Sequence, residues 1–88
     1  MAKTAEASPG TLALWEVQAR HHHSAKRMGE AIYLFRRILG RRRQTQGDWH
    51  YETLAAQNNL ARTLRADLQF DEAVRLYAET LRAHLSKL

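Results

Sequence analysis

The feature that most constrains this chain is an internal repeat of 42 residues. Within each unit, apolar residues recur three or four positions apart, with one break near the middle, which is typical of two helices. The chain is therefore predicted to form two helical hairpins. At this offset the following residues are identical: Thr11-Leu12-Ala13 and Thr53-Leu54-Ala55, Ala19-Arg20 and Ala61-Arg62, Glu30-Ala31 and Glu72-Ala73, Leu34 and Leu76, Leu39 and Leu81.

The repeat also predicts the organisation of the chain. Residues 1–10, which include Pro9 and Gly10, are predicted to be a flexible lead-in to one domain over residues 11–88. Residues 44–50 are predicted to connect the two repeats, because Gly47-Asp48 fits a turn. The fold class is all-α, with four antiparallel helices in a short α-solenoid. The helices are predicted at 11–24, 28–43, 51–66 and 70–86.

The second repeat carries specific motifs. They are His50, Thr53-Leu54, Asn58-Asn59-Leu60-Ala61 and Phe70-Asp71-Glu72-Ala73, with Gly47 ahead of them. These residues resemble the 42-residue tetratricopeptide repeat of kinesin light chains and of many bacterial adaptor and signalling proteins. That family reads Gly-x-x-His-Pro, Thr-Leu, Asn-Asn-Leu-Ala and Tyr-x-Glu-Ala. Tyr51 stands where the family has proline, and Leu68 replaces the small residue usual at the hairpin turn, which predicts a differently shaped turn.

The repeat pattern also predicts which residues pack. Small residues at Ala19, Ala31, Ala61 and Ala73 are expected to let the helices approach closely. Larger apolar residues should fill the remaining space, each contributing about 1.5–3 kcal/mol when fully buried. The predicted large core residues are Trp15, Leu34, Phe35, Leu60, Leu64, Phe70, Leu76, Tyr77 and Leu81.

Composition excludes several classes of function. The chain has no cysteine, so disulfides, thiolate metal sites and cysteine nucleophiles are excluded. No apolar run approaches the roughly 20 residues that span a bilayer, and residues 1–10 lack the apolar stretch of a secretory signal, which predicts a cytoplasmic protein with no membrane contact. The sequence contains no recognisable catalytic triad, phosphate loop or close carboxylate pair, so an enzyme is not expected.

The histidines suggest metal binding, but their spacing argues against it. His21, His22 and His23 are consecutive, and consecutive helical residues point about 100° apart, so they cannot share one ion well. His22 is expected to face the core and His23 the groove. The resemblance implies that His50 packs in the connector and bonds the turn. No metal and no cofactor are predicted.

The net charge of +5 comes mostly from arginine. Arg36-Arg37 and Arg41-Arg42-Arg43, called here the arginine run, lie near the end of the second helix. Cations there are stabilised by the helix dipole, by about 0.3–1 kcal/mol each. Contact with nucleic acid and contact with an acidic protein surface are the two functional alternatives.

A binding face is predicted from the placement of the first helix of each repeat. These helices should line the concave side of the solenoid. The resemblance implies that asparagines there bind the backbone of an extended peptide, while basic residues hold acidic side chains or a terminal carboxylate. Val17 occupies the place of the matching asparagine in repeat one. The predicted partner-binding residues are Arg20, His23, Asn58, Asn59, Arg62 and Arg65.

Self-association is the competing prediction. Solenoids usually need about three repeats to be stable, and this chain has two. Leu81, Leu85 and Leu88 continue an apolar stripe along the last helix, and an uncovered stripe favours association through these residues. The first functional hypothesis is a non-catalytic protein–protein interaction module or small adaptor for a protein or peptide, the second is a structural subunit of a homo-oligomer, and the third is a basic nucleic-acid-binding protein.

Overall fold

The computed structural model describes residues 9–86, and four helices account for most of them. Neighbouring helices pack against each other, α1 on α2, α2 on α3 and α3 on α4. The predicted all-α architecture of two helical hairpins is confirmed. Residues 1–8, which make up most of the predicted lead-in, lie outside the described residues. The helices are α1 (Pro9–Ser24), α2 (Met28–Gln46), α3 (Tyr51–Ala66) and α4 (Phe70–Ser86).

Two helix ends differ from the sequence-based prediction. α1 begins at Pro9, because proline suits the first turn of a helix, where its missing N–H would have no partner. α2 continues three residues beyond Arg43, and within that extension Thr45 Oγ1 donates a hydrogen bond to the Arg41 carbonyl at 2.9 Å. The helix stops at Gly47, whose φ of 85° favours glycine. The connector between the repeats is therefore residues 47–50.

The turns inside the two hairpins have the same geometry. Lys26 and Leu68, which are equivalent in the repeat, both have a φ of 65°. In each turn this residue and the next donate their N–H groups to carbonyls three and five residues earlier, at 2.8–3.1 Å. These bonds form a Schellman motif, which satisfies the carbonyls at the end of a helix. The backbone bonds hold the left-handed conformation at Leu68 without a small residue, and a difference from the family's usual turn stays a prediction.

The connector positions α3 through a cap at its first turn. His50 precedes the helix, and its Nδ1 accepts a hydrogen bond from the Glu52 N–H at 3.1 Å. The same imidazole stacks on the Tyr51 ring, with 4.7 Å between ring centroids. A capping acceptor satisfies one of the N–H groups that a helix start leaves without a partner. The predicted structural role of His50 in the connector is confirmed.

The core follows the contacts between successive helices. The four repeat alanines, Ala19, Ala31, Ala61 and Ala73, are at most 1% exposed, as expected for positions of close helix approach. The predictions for Phe70 and Leu81 are wrong: these side chains are 53% and 59% exposed, because no other described helix covers that face of α4. Among the other predicted core residues, Phe35, Leu60, Leu64 and Leu76 are buried, while Trp15, Leu34 and Tyr77 are partly buried against them.

A buried amide joins three of the helices. Gln57 of α3 is 4% exposed, and its amide nitrogen donates to the Leu76 carbonyl and to Thr80 Oγ1 of α4, both at 3.2 Å. Its carbonyl oxygen accepts from Arg43 of α2 at 3.2 Å. A buried amide is tolerated only when its donors and acceptor are satisfied, so these bonds fix the positions of α2, α3 and α4 relative to one another.

Candidate binding groove

A depression lies between the first helices of the two repeats, and we call it the inner groove. Four of the predicted partner-binding residues meet there. Its volume of about 150 Å³ suits a side chain or a carboxylate more than a cofactor, since small-molecule sites usually measure about 300–1,000 Å³. The inner groove is lined by Arg20, His23 and Ser24 of α1, Phe35 of α2, and Asn59, Arg62 and Thr63 of α3.

A hydrogen bond across the inner groove holds the two first helices in register. His23 Nδ1 of α1 lies 2.9 Å from Thr63 Oγ1 of α3, and the Thr63 hydroxyl donates to the Asn59 carbonyl at 2.9 Å. Because the hydroxyl proton is used in that second bond, His23 Nδ1 is the donor of the first. The imidazole is thereby fixed beside Arg20 and Arg62, on the wall of the groove.

The inner groove carries positive charge that is not neutralised within the described chain. Arg20 and Arg62 are exposed, are equivalent in the repeat, and form no ion pair with any carboxylate of residues 9–86. Asn59 lines the same groove and has both donor and acceptor groups on its amide. Guanidinium groups present a planar set of N–H donors that matches a carboxylate. The inner groove therefore has the chemistry to hold an anionic, hydrogen-bonding segment.

The arginine run, in contrast, is engaged in contacts between helices. Arg42 of α2 bonds Glu16 of α1 and Glu52 of α3, each at 3.2 Å. Arg43 bonds Gln57 and lies 3.9 Å from Asp48. The helix dipole is therefore not the main partner of these cations, because carboxylates and amides of neighbouring helices approach them directly.

The remaining arginines of the run are also engaged. The guanidinium of Arg37 lies 4.5 Å from the centroid of the Trp15 ring and donates to the Tyr33 hydroxyl at 2.9 Å. Arg41 bonds Gln44 within α2. Cation–π and side-chain contacts of this kind keep a guanidinium against the protein surface. Arg37 and Arg41 therefore each make at least one side-chain contact within the molecule.

Arg36 joins α2 to α4 through a two-point ion pair. Its two terminal nitrogens contact the two carboxylate oxygens of Glu72 at 2.6 and 2.9 Å. The hydrogen bond from Arg36 lowers the pKa of Glu72 below its usual value; partial burial opposes this change and the positive charge of Arg36 adds to it. The carboxylate is held ionised as the structural partner of Arg36.

The other predicted site residues lie outside the inner groove. Asn58 lines a separate depression between α3 and α4, and Arg65 is an exposed residue near the end of α3. Leu81 and Leu85, predicted at an oligomer interface, are 59% and 56% exposed on α4. Leu88 falls outside the described residues. The four residues brought together by the fold are thus Arg20, His23, Asn59 and Arg62.

Thr63 and Phe35 are residues of the inner groove that the sequence did not indicate. Phe35 was assigned to the core, and it is 3% exposed at the groove floor. Thr63 occupies an ordinary helix position with no motif around it. Its role depends on the approach of α1 to α3, which brings His23 within bonding distance. A distance between two first helices, each in a different repeat, is not encoded in any local pattern.

The histidine run does not converge on one point. The rings of His21 and His22 are tilted, with centroids 5.9 Å apart, and His22 Nδ1 accepts from Arg27 Nε at 3.0 Å. His22 is half-buried, as is His23. Within the described residues, no three or more histidine, aspartate or glutamate side chains cluster as metal ligands would. Nor does any helix among residues 9–86 have the length and apolar character needed to cross a membrane.

Two stacked helical hairpins with a groove between their first helices define a helical-repeat protein. A model of the tetratricopeptide repeat family matches residues 10–86, and the chain belongs to this family. Tetratricopeptide repeats generally mediate protein–protein interactions and are typically not catalytic. The kinesin-light-chain-like type stays a prediction. No curated protein and no solved structure matches the chain.

Proposed function

We propose that this protein is a non-catalytic interaction module that binds an extended acidic segment of a protein partner in the inner groove. The observation that carries the proposal is the pair of exposed guanidinium groups, Arg20 and Arg62, one from each repeat and without a carboxylate partner in the described chain. In water such a pair favours anions, and each charge-assisted hydrogen bond contributes about 1.5–3 kcal/mol.

The arrangement of the other polar groups supports a peptide ligand. Asn59 can donate to and accept from a peptide backbone, while Arg20 and Arg62 of the same groove can hold carboxylates. The groove extends across both repeats through Arg20 and Arg62, so an extended segment can contact both. Asn58 and Arg65, predicted with these residues, contribute at most to the ends of such a segment, because they do not line the inner groove.

Nucleic acid is a weaker candidate for the same surface. Phosphate binding needs several available cations, and each adds to the salt dependence of the affinity. Arg36, Arg42 and Arg43 already hold carboxylates or amides of neighbouring helices. The two exposed arginines of the inner groove suit one or two carboxylates better than a run of phosphates.

The test uses defined peptides and a matched variant. Fluorescence anisotropy measures binding of a labelled decapeptide of alternating glutamate and glycine, compared with its glutamine and lysine counterparts. The glutamate peptide is expected to bind best. Replacing Asn59→Ala together with Arg62→Glu should weaken it roughly ten- to a hundredfold, because a charge-assisted bond is lost and a repulsion added.

The control is Arg75→Glu, which makes the same charge reversal on α4 beside Glu72 and away from the inner groove. It should leave most of the affinity intact. Equal binding of the glutamate and glutamine peptides would refute the acidic ligand. Equal losses in the groove variant and in Arg75→Glu would refute the inner groove as its site.

A further inference from the structure

A second groove lies between α3 and α4, and we call it the terminal groove. It is lined by Leu54, Asn58, Tyr77, Thr80, Leu81 and His84. The apolar surface includes Leu81 of the groove, which is 59% exposed, and continues along α4 through Phe70, Val74 and Leu85, which are 53–64% exposed. Contiguous exposed residues of this size usually mark an interaction surface.

In the 42-residue repeat, this exposed surface of α4 corresponds to a surface of α2. The residues that lie 42 positions before Val74, Tyr77 and Leu81 are Ile32, Phe35 and Leu39 of α2. These are 8%, 3% and 4% exposed, because α3 packs against α2 and covers them. The terminal groove is therefore the second occurrence of a helix-binding surface that, in repeat one, is already filled within the molecule.

We propose that the terminal groove binds α1 of a second copy of this chain, so that copies associate head to tail. In the 42-residue register α1 is the counterpart of α3, which makes it the helix of this molecule that corresponds to the missing occupant. Its outer face presents Leu14 and Val17, which are 55% and 56% exposed. Leu14 is the counterpart of Ala56, a residue of α3 that is 3% exposed.

The charges at the two interfaces differ in a way that fits a second copy. Inside the chain, Arg42 is held between Glu16 of α1 and Glu52 of α3. At the terminal groove the counterparts of Arg42 and Glu16 are His84 and Asn58, and on the incoming α1 the counterpart of Glu52 is Gly10. All three positions have lost their permanent charge together. A second copy therefore leaves no carboxylate or guanidinium unpaired there, whereas a helix with a glutamate, like α3, would.

The sizes of the side chains and their polar contacts also differ between the internal interface and the proposed one, and each change on one side is matched by a change on the other. Thr80 of the groove is smaller than its counterpart Ile38, while Leu14 of the incoming helix is larger than its counterpart Ala56. Arg65 is the counterpart of His23, and His21 of the second copy is the counterpart of Thr63. The hydrogen bond between His23 and Thr63 therefore corresponds to a contact between Arg65 and His21 of the second copy. A guanidinium can donate to a neutral imidazole nitrogen, as Arg27 does to His22 within the chain.

The proposed contact between α4 and α1 of a second copy is expected to be weaker than the internal contact between α2 and α3. It also allows open-ended addition of copies. Gln18 of the incoming helix stands where α3 has Leu60, which is 2% exposed, so less apolar surface is buried. Association is therefore expected in the micromolar to millimolar range. The interface joins two different surfaces, so it leaves one of each free at the ends and copies can continue to add. Each added copy would place its Arg20 beside Arg62 of the copy before it and so lengthen the inner groove.

Light scattering after size exclusion tests this with the whole chain. The wild-type mass should rise gradually with concentration above the 10.2 kDa of one chain. Leu81→Glu disrupts the terminal groove and leaves α1 able to bind. Leu14→Glu disrupts the binding face of α1 and leaves the terminal groove intact. Each variant alone should stay a monomer, since a glutamate would be buried without a partner. An equimolar mixture should form a dimer that does not grow, because each variant retains the surface that the other lacks.

The control is Leu68→Glu, at a 73% exposed position whose counterpart Lys26 stays exposed beside the internal interface. It should associate like the wild type, and circular dichroism should show unchanged helix content in all three variants. A wild type that is monomeric up to millimolar concentration overturns the proposal. So does a dimer that Leu14→Glu does not disturb, which would indicate pairing of two α4 helices, and so does a mixture that remains monomeric.

Discussion

At the scale of single residues, the left-handed backbone of Leu68 is the clearest source of strain. A leucine with a φ of 65° places its Cβ close to the following carbonyl, which costs about 1 kcal/mol relative to glycine. The side chain is 73% exposed, so it recovers little by burial. Leu68→Asn and Leu68→Gly are therefore expected to raise the free energy of unfolding by about 0.5–1 kcal/mol. Urea denaturation followed by circular dichroism measures this.

The equivalent turn provides a matched comparison. Lys26 has the same φ and the same backbone hydrogen bonds, so Lys26→Asn should stabilise by a similar amount. Leu68→Ala keeps a Cβ and should gain nothing. If asparagine and glycine at position 68 both lowered stability, the turn would not hold a left-handed residue in solution.

At the scale of helices, α2 is the element that joins the repeats. Its arginine run reaches α1, α3 and α4 through Arg42, Arg43 and Arg36. The sequence predicted a basic helix end but not these partners, because each carboxylate or amide comes from another helix. An arginine cluster has the same local pattern whether its charges are solvated or bonded. Whether the arginine charges are solvated or bonded depends on the packing between helices. That packing follows from the repeat as a whole.

The ion pair between Arg36 and Glu72 makes part of this packing sensitive to pH. Its side chains are 47% and 27% exposed, so its contribution is that of a surface pair, about 0.5–1 kcal/mol. The pKa of Glu72 is lowered in the folded protein from an ordinary value of 4.5. The stabilisation is therefore fully present above that ordinary value and is lost as the pH falls through the lower, folded value. Glu72→Gln should reduce the free energy of unfolding at neutral pH, and its difference from the wild type should disappear in acid.

Glu30 is the natural control for this pH dependence. It is the counterpart of Glu72 in repeat one, it is exposed, and it forms no ion pair within residues 9–86. Glu30→Gln should change stability less at neutral pH and should show no comparable loss in acid. Denaturation curves at neutral and acid pH compare the two variants. Parallel pH profiles for both would mean that the pair with Arg36 contributes nothing.

At the scale of the whole molecule, the repeat made the fold predictable. The helix starts at Met28, Tyr51 and Phe70 agree with the sequence-based prediction, because motifs in two copies reinforce each other. The errors at Phe70 and Leu81 share one cause. The sequence pattern is the same whether or not a repeat has a neighbour on both sides. In the described chain, the outer face of the second repeat has no neighbour. Periodicity predicts which face is apolar, and only the number of packed neighbours decides whether it is buried.

The inner groove was predictable to a smaller extent. The resemblance placed Arg20, His23, Asn59 and Arg62 on one face, and these four do line one depression. It also placed Asn58 there, although Asn58 is one residue, or about 100°, further around α3 and lies in the terminal groove. Because Asn58 and Asn59 point in directions about 100° apart, this motif of two asparagines divides between two surfaces.

The last prediction concerns a tandem of two copies that keeps the 42-residue period. In this tandem, the connector sequence of residues 47–50 joins Leu88 to Pro9 of the second copy. The α1 helix of the second copy then follows α4 at the same distance along the sequence as α3 follows α2. If that α1 docks in the terminal groove, the tandem is a continuous four-repeat solenoid, in which each repeat is stabilised by its neighbours. It should melt in one cooperative transition above the melting temperature of the single chain at the same low concentration. Calorimetry compares this tandem with one carrying Leu81→Glu in its first copy, which should melt at the single-chain temperature; equal melting of both tandems would show that adjacent copies do not pack.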